Sequence, residues 1–137
     1  MDLEDGRAEE ALRMASQALE RAYAPYSGFK MGAAVVTDTD AIVPGALIEN
    51  VSLGLAMCAE RTALFGVVAG ASGRPKLLAL RAPRTAGRLT WPCGACLQVA
   101  LELGGPDLLV LVSDGESEPE QARLRDLAGR LPWKGQG

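Results

Sequence analysis

The alternation of helical and extended segments in the central part of the chain most constrains how it can fold. Helix-forming residues with a recurring apolar face occupy residues 58–69 and 96–103, and short apolar runs occupy residues 76–81 and 108–113. An order of helix, strand, helix and strand favours a sheet whose faces are covered by helices, with right-handed crossovers. The sequence therefore predicts an α/β fold.

The segments before residue 58 predict a first helix and a hairpin. Apolar residues at steps of three and four indicate an amphipathic helix over residues 3–23. Residues 31–37 and 41–48 are rich in small and β-branched residues and are separated by a short polar turn, which is typical of an antiparallel hairpin. Glu49 and Asn50 directly follow the second strand of this hairpin.

The segment after Asp114 has the weakest pattern. Asp114-Gly115 indicates a turn, residues 116–121 are too polar to predict a strand, and residues 123–131 predict a terminal helix. No repeat, low-complexity tract or linker divides the chain. We therefore expect one domain over residues 1–137, large enough to bury a core without disulfides.

Charge and hydropathy argue against several classes of function. A net charge of −3 without a basic cluster argues against nucleic-acid binding. The apolar stretches fall far short of the roughly 20 residues that a membrane span requires. The N-terminal residues have neither the basic start nor the apolar run of a secretory signal. We therefore expect a cytoplasmic protein that binds a small uncharged molecule.

The chain has three cysteines and no histidine. An odd number of cysteines cannot all pair within one chain, and two of them lie three residues apart, which points to metal or redox chemistry. Without an imidazole, any catalysis must use carboxylates, thiolates or the backbone.

Two short motifs stand at the starts of the two central helices. They are Cys58-Ala59-Glu60 and Pro92-Cys93-Gly94-Ala95-Cys96. A helix N-terminus lowers the pKa of a thiol, because its unpaired N–H groups stabilise the thiolate that a metal needs. Three protein ligands leave the fourth position of tetrahedral Zn²⁺ open for water. The motifs therefore predict a catalytic zinc site held by Cys58, Cys93 and Cys96, with Glu60 overlooking the open position.

The pattern Cys-x-Glu with a downstream Pro-Cys-x-x-Cys is the zinc deaminase signature, with cysteine in the place of histidine. In that chemistry a metal-activated water attacks the ring carbon that bears the amino group. Glu60 is expected to take the proton of this water, deliver it to the ring nitrogen and assist the departure of ammonia. Three thiolates leave a zinc site with a net charge of about −1, and Arg61 is placed to offset this by donating to a thiolate.

The sequence around these motifs resembles the cytidine deaminase family, specifically its short, homotetrameric form. The match runs over residues 23–103, and its segments are Ala22-Tyr23-Ala24-Pro25-Tyr26-Ser27-Gly28-Phe29, Gly32-Ala33-Ala34, Glu49-Asn50, Cys58-Ala59-Glu60-Arg61-Thr62-Ala63 and Pro92-Cys93-Gly94-Ala95-Cys96-Leu97-Gln98. The resemblance implies a three-layer α/β/α fold with a mixed, about five-stranded sheet. It also implies zinc between the two helix starts and active sites completed by neighbouring subunits.

The same resemblance implies a substrate and a set of residues that contact it. The expected reaction converts cytidine or deoxycytidine to uridine or deoxyuridine with release of ammonia, as in pyrimidine salvage. The residues expected around the nucleoside are Phe29, Leu47, Glu49 and Ala59, with Arg61 and Pro92 supporting the metal. Phe29 would line the pocket, and Glu49 would bind a ribose hydroxyl or the surroundings of the pyrimidine.

Several positions depart from the family pattern. Leu47 stands where related sequences have an asparagine that holds the sugar hydroxyl. Trp91 replaces the usual serine, Leu97 a frequent arginine, and the segment after Asp114 lacks the family's apolar last strand. Leu47 raises a second possibility, a deaminase of modified cytosine nucleosides or other amino-substituted rings, similar to the blasticidin S deaminases.

Other interpretations of the same residues remain open. The chain could be a zinc protein of this fold that binds nucleosides without turnover, or its Cys-x-x-Cys a redox pair. A closed structural zinc site would want a fourth cysteine or histidine. Glu60 could be a first-turn glutamate whose sole role is to interact favourably with the helix dipole. Glu49 and Asn50 could serve only to shape the loop before the helix. Aromatic residues such as Phe29 and Tyr26 also serve as core or subunit contacts.

Overall fold

The computed structural model describes residues 6–134 and contains one five-stranded sheet flanked by helices. The elements are α1 (Arg7–Glu20), β1 (Gly32–Thr37), β2 (Ile42–Ala46), α2 (Ala59–Ala69), β3 (Pro75–Arg81), α3 (Gly94–Gly104), β4 (Leu109–Ser113), β5 (Glu120–Arg123) and α4 (Leu124–Ala128). The strand order is β2-β1-β3-β4-β5, in which only β3 and β4 are parallel. The predicted α/β class and mixed sheet are confirmed.

The helices lie on both faces of the sheet because side chains alternate along each strand. On β1, Ala34 and Val36 belong to the core cluster under α1, whereas Ala33 and Val35 belong to the cluster under α2 and α3. The three central strands β1, β3 and β4 are therefore mostly apolar, as expected when both faces of a sheet are covered. This confirms the three-layer α/β/α arrangement.

A glycine in β2 allows α2 to pack directly against the sheet. A Cβ at Gly45 would overlap the backbone of Ala63 and Ala59 in α2. The Thr62 hydroxyl also donates to the Ala46 carbonyl at 3.0 Å, which joins the end of β2 to the first turn of α2. Together these contacts determine where α2 begins and hence where Cys58 lies.

The predicted hairpin and first helix are present with shorter bounds. β1 and β2 pair antiparallel from Gly32 to Ala46, and residues beyond β2 leave the ladder. α1 ends at Glu20, because the Tyr23 amide donates to the Leu47 carbonyl at 2.9 Å instead of continuing the helix. The expected helix start at residue 3 lies outside the described residues.

The segment after Asp114 has no apolar strand, as expected, but it contributes a polar one that the sequence pattern does not predict. Residues Glu120–Arg123 form β5, which pairs antiparallel with β4 at the edge of the sheet. Its residues are polar and half-exposed or exposed, as an edge strand permits when backbone groups of its neighbour supply the pairing. The terminal helix is shorter than predicted and is anchored by the buried Leu124. Within residues 6–134 no helix has the length and apolarity to cross a membrane.

Candidate active site

The three cysteines meet where α2 and α3 begin. Cys58 and Cys93 are the N-cap residues of these helices, and Cys96 lies in the first turn of α3. Their Sγ atoms lie within 4.8 Å of one another, and the distance from Cys93 Sγ to Cys96 Sγ is 3.5 Å. The three thiols are not in disulfides. Three converging sulfur donors without a histidine or fourth cysteine in the chain are a set that binds Zn²⁺ and leaves one position free.

The surroundings of Cys58 favour the thiolate that a metal requires. The interaction with the Cys96 thiol and the Arg61 guanidinium lower the pKa of Cys58 to about 5. The Arg61 Nη2 atom donates to Cys58 Sγ at 3.5 Å, so the arginine makes the contact that the sequence predicts. The same interaction with Cys58, followed by burial, raises the pKa of Cys96. The N–H groups of both first helical turns add positive potential to the cluster.

Glu60 is a buried carboxyl beside this cluster. It is the second residue of α2 and only 1% of it is exposed. Within residues 6–134 its Oε1 atom has no hydrogen-bond partner. Burial, and next the negative charge of Cys58, raise its pKa to about 7. A buried acceptor without a partner calls for an explanation, and a bound water or substrate supplies one.

Two neighbours of the cysteines are buried. Pro92 precedes Cys93 and lies in the interior, where it limits the backbone at the start of α3. The Ala59 side chain is fully buried in the core below α2, and its carbonyl accepts from the Thr62 hydroxyl at 2.8 Å. The substrate contact of Ala59 that the resemblance implies stays a prediction.

The Glu49 carboxylate holds the loop that precedes β1. Its Oε1 atom accepts from the amides of Tyr26 at 2.9 Å and Ser27 at 3.2 Å, and Oε2 accepts from the Ser27 hydroxyl. The Ser27 hydroxyl, and then the two amides, hold the pKa of Glu49 below its ordinary value. The Phe29 amide donates to Ser27 Oγ at 3.0 Å, so Glu49 indirectly orients the loop that carries Phe29. Its contact with ribose stays a prediction.

The other predicted substrate residues lie at the same end of the hairpin. Leu47 and Phe29 are both half-buried. The Leu47 amide donates to the Met31 carbonyl at 3.1 Å, so Leu47 directly follows the β1–β2 ladder. Asn50 Oδ1 accepts from the Ser52 amide at 2.9 Å, which shapes the loop leading to Cys58.

Two functional contacts were missed by sequence reasoning. Thr62 ties the start of α2 to β2, and Ser27 connects Glu49 to the Phe29 loop. Both lie inside the segments that resemble the family, but their hydrogen bonds join residues far apart in the chain. Local periodicity carries no signal for such pairs.

Comparison with known proteins agrees with the site. The family model for the cytidine and deoxycytidylate deaminase zinc-binding region matches residues 6–112. The chain is 40% identical to a cytidine deaminase of Halalkalibacterium halodurans over 116 residues. These aligned residues cover 85% of this chain and 86% of the relative. It is 45% identical to a cytidine deaminase of Mycobacterium tuberculosis over 96 residues. These cover 70% of this chain and 71% of the relative.

Solved structures extend the likeness to three dimensions. The cytidine deaminase of Burkholderia pseudomallei superimposes with a TM-score of 0.83 at 40% identity, over 90% of this chain and 98% of that chain. The enzyme of Mycobacterium tuberculosis gives a TM-score of 0.75 at 38% identity, over 89% and 94% of the two chains. With its three converging thiols and its buried glutamate, the chain therefore belongs to the cytidine and deoxycytidylate deaminase family.

Proposed function

We propose that the protein is a zinc-dependent hydrolytic deaminase that converts cytidine and deoxycytidine to uridine and deoxyuridine with release of ammonia. The observation that carries this proposal is the buried Glu60 carboxyl, which lies two residues after Cys58 and has an unpartnered oxygen beside a cluster of three thiols. The family and the cytidine deaminases to which the chain is similar support the same reaction.

The donor set fits Zn²⁺. Cys58, Cys93 and Cys96 would hold the ion, and Arg61 would offset part of the thiolate charge through its contact with Cys58. Zinc with three protein ligands supplies a Lewis acid that brings the pKa of water towards neutrality. Cys93 is exposed and Cys58 is half-buried, so a small molecule can approach the cluster from the side of Cys93.

Glu60 moves the protons of the reaction. Its pKa of about 7 lets it both accept and donate a proton near neutral pH. As a carboxylate it accepts a proton from the attacking water, and it then donates that proton to the ring nitrogen next to the reacting carbon. The second proton of the water passes to the departing amino group, so that the carbon–nitrogen bond breaks and ammonia leaves. The products balance cytidine plus water.

The loop held by Glu49 would form one wall of the nucleoside pocket. Phe29 supplies an aromatic surface, and the carboxylate of Glu49 has acceptor capacity for a sugar hydroxyl beyond its bonds to Tyr26 and Ser27. Leu47, at the end of the same hairpin, offers no hydrogen bond. This apolar, half-buried side chain favours the second candidate substrate class, modified cytosine nucleosides of the blasticidin S type.

Self-association is part of the proposal. Val51 and Leu53, in the loop that leads to Cys58, are each 78% exposed. On the outer face of α2, Phe65 and Val68 border a mostly apolar groove of about 560 Å³ against α3. Apolar patches of this kind mark protein interfaces. We infer a homotetramer, and because the Val51–Leu53 loop runs into the cysteine cluster, a copy that covers it would help to complete the active site.

The three free thiols also support a location in the reducing cytoplasm. A site of three thiolates requires reduced cysteines, and oxidising compartments favour disulfides instead.

Ammonia release from a panel of nucleosides tests the activity. The panel contains cytidine, deoxycytidine, 2′,3′-dideoxycytidine, blasticidin S and adenosine, with Glu60→Gln as the matched inactive control. We expect the parent protein to turn over cytidine, deoxycytidine and, with a higher KM, 2′,3′-dideoxycytidine, and we expect Glu60→Gln to turn over none of them. Turnover confined to blasticidin S would favour the second candidate, and no turnover of any compound by zinc-loaded protein would overturn the proposal.

Light scattering tests the assembly. Four chains of 14.3 kDa give about 57 kDa. We expect this mass for the parent protein and a smaller one for Phe65→Lys, which places a charge on the outer face of α2. A parent mass of one chain at micromolar concentration would contradict the tetramer and the shared site.

A further inference from the structure

A hydrogen-bonded cluster joins two loops at the carboxyl ends of the parallel strands β3 and β4. Arg84 Nε donates to Asp114 Oδ2 at 2.8 Å, and Arg84 Nη2 donates to Ser117 Oγ at 2.7 Å. Arg84 Nη1 donates to the Gly87 carbonyl at 2.8 Å within its own loop. Every nitrogen of the guanidinium therefore has a partner. We refer to Arg84, Asp114 and Ser117 as the loop clamp.

Asp114 is the fixed half of the clamp. Its Oδ1 atom accepts from the amides of Glu116 at 2.8 Å and Ser117 at 2.7 Å, and its side chain is only 9% exposed. The amides of Ser117 and Glu116, and then Arg84, hold the pKa of Asp114 well below its usual range. The carboxylate therefore stays charged at neutral pH and can keep its ion pair with Arg84.

The loop on the other side of the clamp is closed by its own hydrogen bonds. Thr85 and Arg88 exchange two backbone bonds of 2.8 and 3.0 Å around a tight turn. The Thr90 hydroxyl donates to the Pro83 carbonyl at 2.6 Å and lies 2.6 Å from the Thr85 hydroxyl. Residues 83–90 therefore form a compact unit that is held to the rest of the protein by Arg84 and by the Leu89 side chain, which is buried in the core.

This unit leads directly to a cysteine of the cluster. Trp91 and the buried Pro92 are the only residues between Thr90 and Cys93. Cys58 is half-buried and Cys96 is fully buried, whereas Cys93, an N-cap residue like Cys58, is exposed. Packing therefore restrains Cys93 Sγ least of the three sulfurs, and the loop before Cys93 has a larger share in placing it.

We propose that the loop clamp is a positioning device for Cys93, which holds this ligand against the other two thiolates and slows the loss of Zn²⁺. The proposal rests on the zinc role given to Cys93 in the proposed function. Arg84, Asp114 and Ser117 do not touch the reacting atoms, so their effect on turnover passes through metal retention.

The rate of zinc transfer from the loaded protein to a chromogenic chelator measures this effect. We compare Asp114→Asn and Arg84→Gln with Asp107→Asn, which removes the carboxylate of another aspartate–arginine pair, with Arg125, at the opposite end of β4. We expect both clamp variants to release zinc about tenfold faster, in the range seen when residues that orient metal ligands are changed. Asp107→Asn should release it at the parent rate.

Two further measurements separate positioning from general destabilisation. Saturating zinc should restore the kcat of the clamp variants with KM unchanged, because the assembled site is intact. Amide exchange at Thr85 and Arg88 should accelerate in the metal-free variants, while exchange at Leu78 and Val110 in the sheet should not change. Faster exchange throughout the sheet would indicate ordinary loss of stability and would overturn the proposal.

The outcomes distinguish this proposal from the one on which it rests. A zinc-loaded parent protein with unchanged release from both clamp variants would overturn the clamp alone, as would equal acceleration in Asp107→Asn. A parent protein that binds no zinc would overturn both the clamp and the proposed function.

Discussion

The Glu49 carboxylate and the Ser27 hydroxyl are hydrogen-bonded to each other across a sequence separation of 22, which joins the loop before β1 to the segment after β2. The same carboxylate accepts from the Tyr26 and Ser27 amides, and Ser27 in turn accepts from the Phe29 amide. The residue expected to bind the sugar therefore also supports the aromatic wall of the pocket. Its two roles can be separated by the choice of substrate.

Glu49→Gln should raise KM for cytidine about tenfold without changing the zinc content, because the amide cannot accept all three hydrogen bonds of the carboxylate. We expect a smaller but measurable increase for 2′,3′-dideoxycytidine, since the Phe29 loop is loosened for either substrate. Steady-state kinetics with Glu20→Gln, an exposed carboxylate at the end of α1, as control provide the comparison. An effect that disappears with dideoxycytidine would assign Glu49 to the sugar alone.

The contribution of Glu49 to stability should depend on pH. Hydrogen bonds from Ser27 and Tyr26 lower its pKa in the folded protein, so this contribution is present above its ordinary pKa and is lost as pH falls through the lowered value. The difference in Tm between the parent protein and Glu49→Gln should therefore be constant from about pH 8 to pH 5 and shrink below about pH 4. A difference that grows on acidification would contradict the assignment.

The metal site could be predicted from the sequence because it depends on local features. Cys58 and Cys93 each precede a helix-forming segment, and a helix start orients such residues whatever the rest of the fold. Strands with apolar residues on both faces indicated the covered sheet. β5 escaped prediction because its polar residues form a strand only where the free edge of β4 pairs with them. Contacts such as Arg84 with Asp114 join residues 30 apart and leave no periodic trace.

Removal of zinc should destabilise the protein. Without the ion, three thiols converge within 4.8 Å beside the buried Glu60, and the metal that would hold α2 and α3 together is missing. Elemental analysis should give about one zinc per chain, and a chelator should lower Tm by several degrees. Cys93→Ala should lose the metal, and with it the activity. A folded, metal-free parent protein with three freely titrating thiols would contradict the site.

Glu60→Gln should keep zinc and lose turnover. The amide retains the size of the buried side chain but cannot accept and donate the proton, so kcat should fall by roughly 10²- to 10⁴-fold. Nucleoside binding, measured by calorimetry on the zinc-loaded variant, should persist. Turnover close to the parent rate would mean that another group moves the protons.

Leu47→Asn should improve the use of cytidine. Leu47 follows the β1–β2 ladder and is half-buried at the end of the hairpin that carries Glu49. The resemblance to the family implies an amide beside the sugar at this position. A sugar hydroxyl buried there without a partner costs about 1 to 3 kcal/mol, and the new amide can recover part of it as a lower KM.

The gain from Leu47→Asn should depend on the sugar of the substrate. We expect it for cytidine and deoxycytidine and expect none for 2′,3′-dideoxycytidine, because only the first two present a 3′-hydroxyl to the new side chain. Leu47→Met, which keeps an apolar side chain of similar volume, is the matched control and should leave all three KM values unchanged. If the parent protein already uses cytidine efficiently and Leu47→Asn changes nothing, Glu49 or a neighbouring subunit supplies the recognition. If neither protein accepts cytidine but both deaminate blasticidin S, Leu47 belongs to a pocket for a modified sugar.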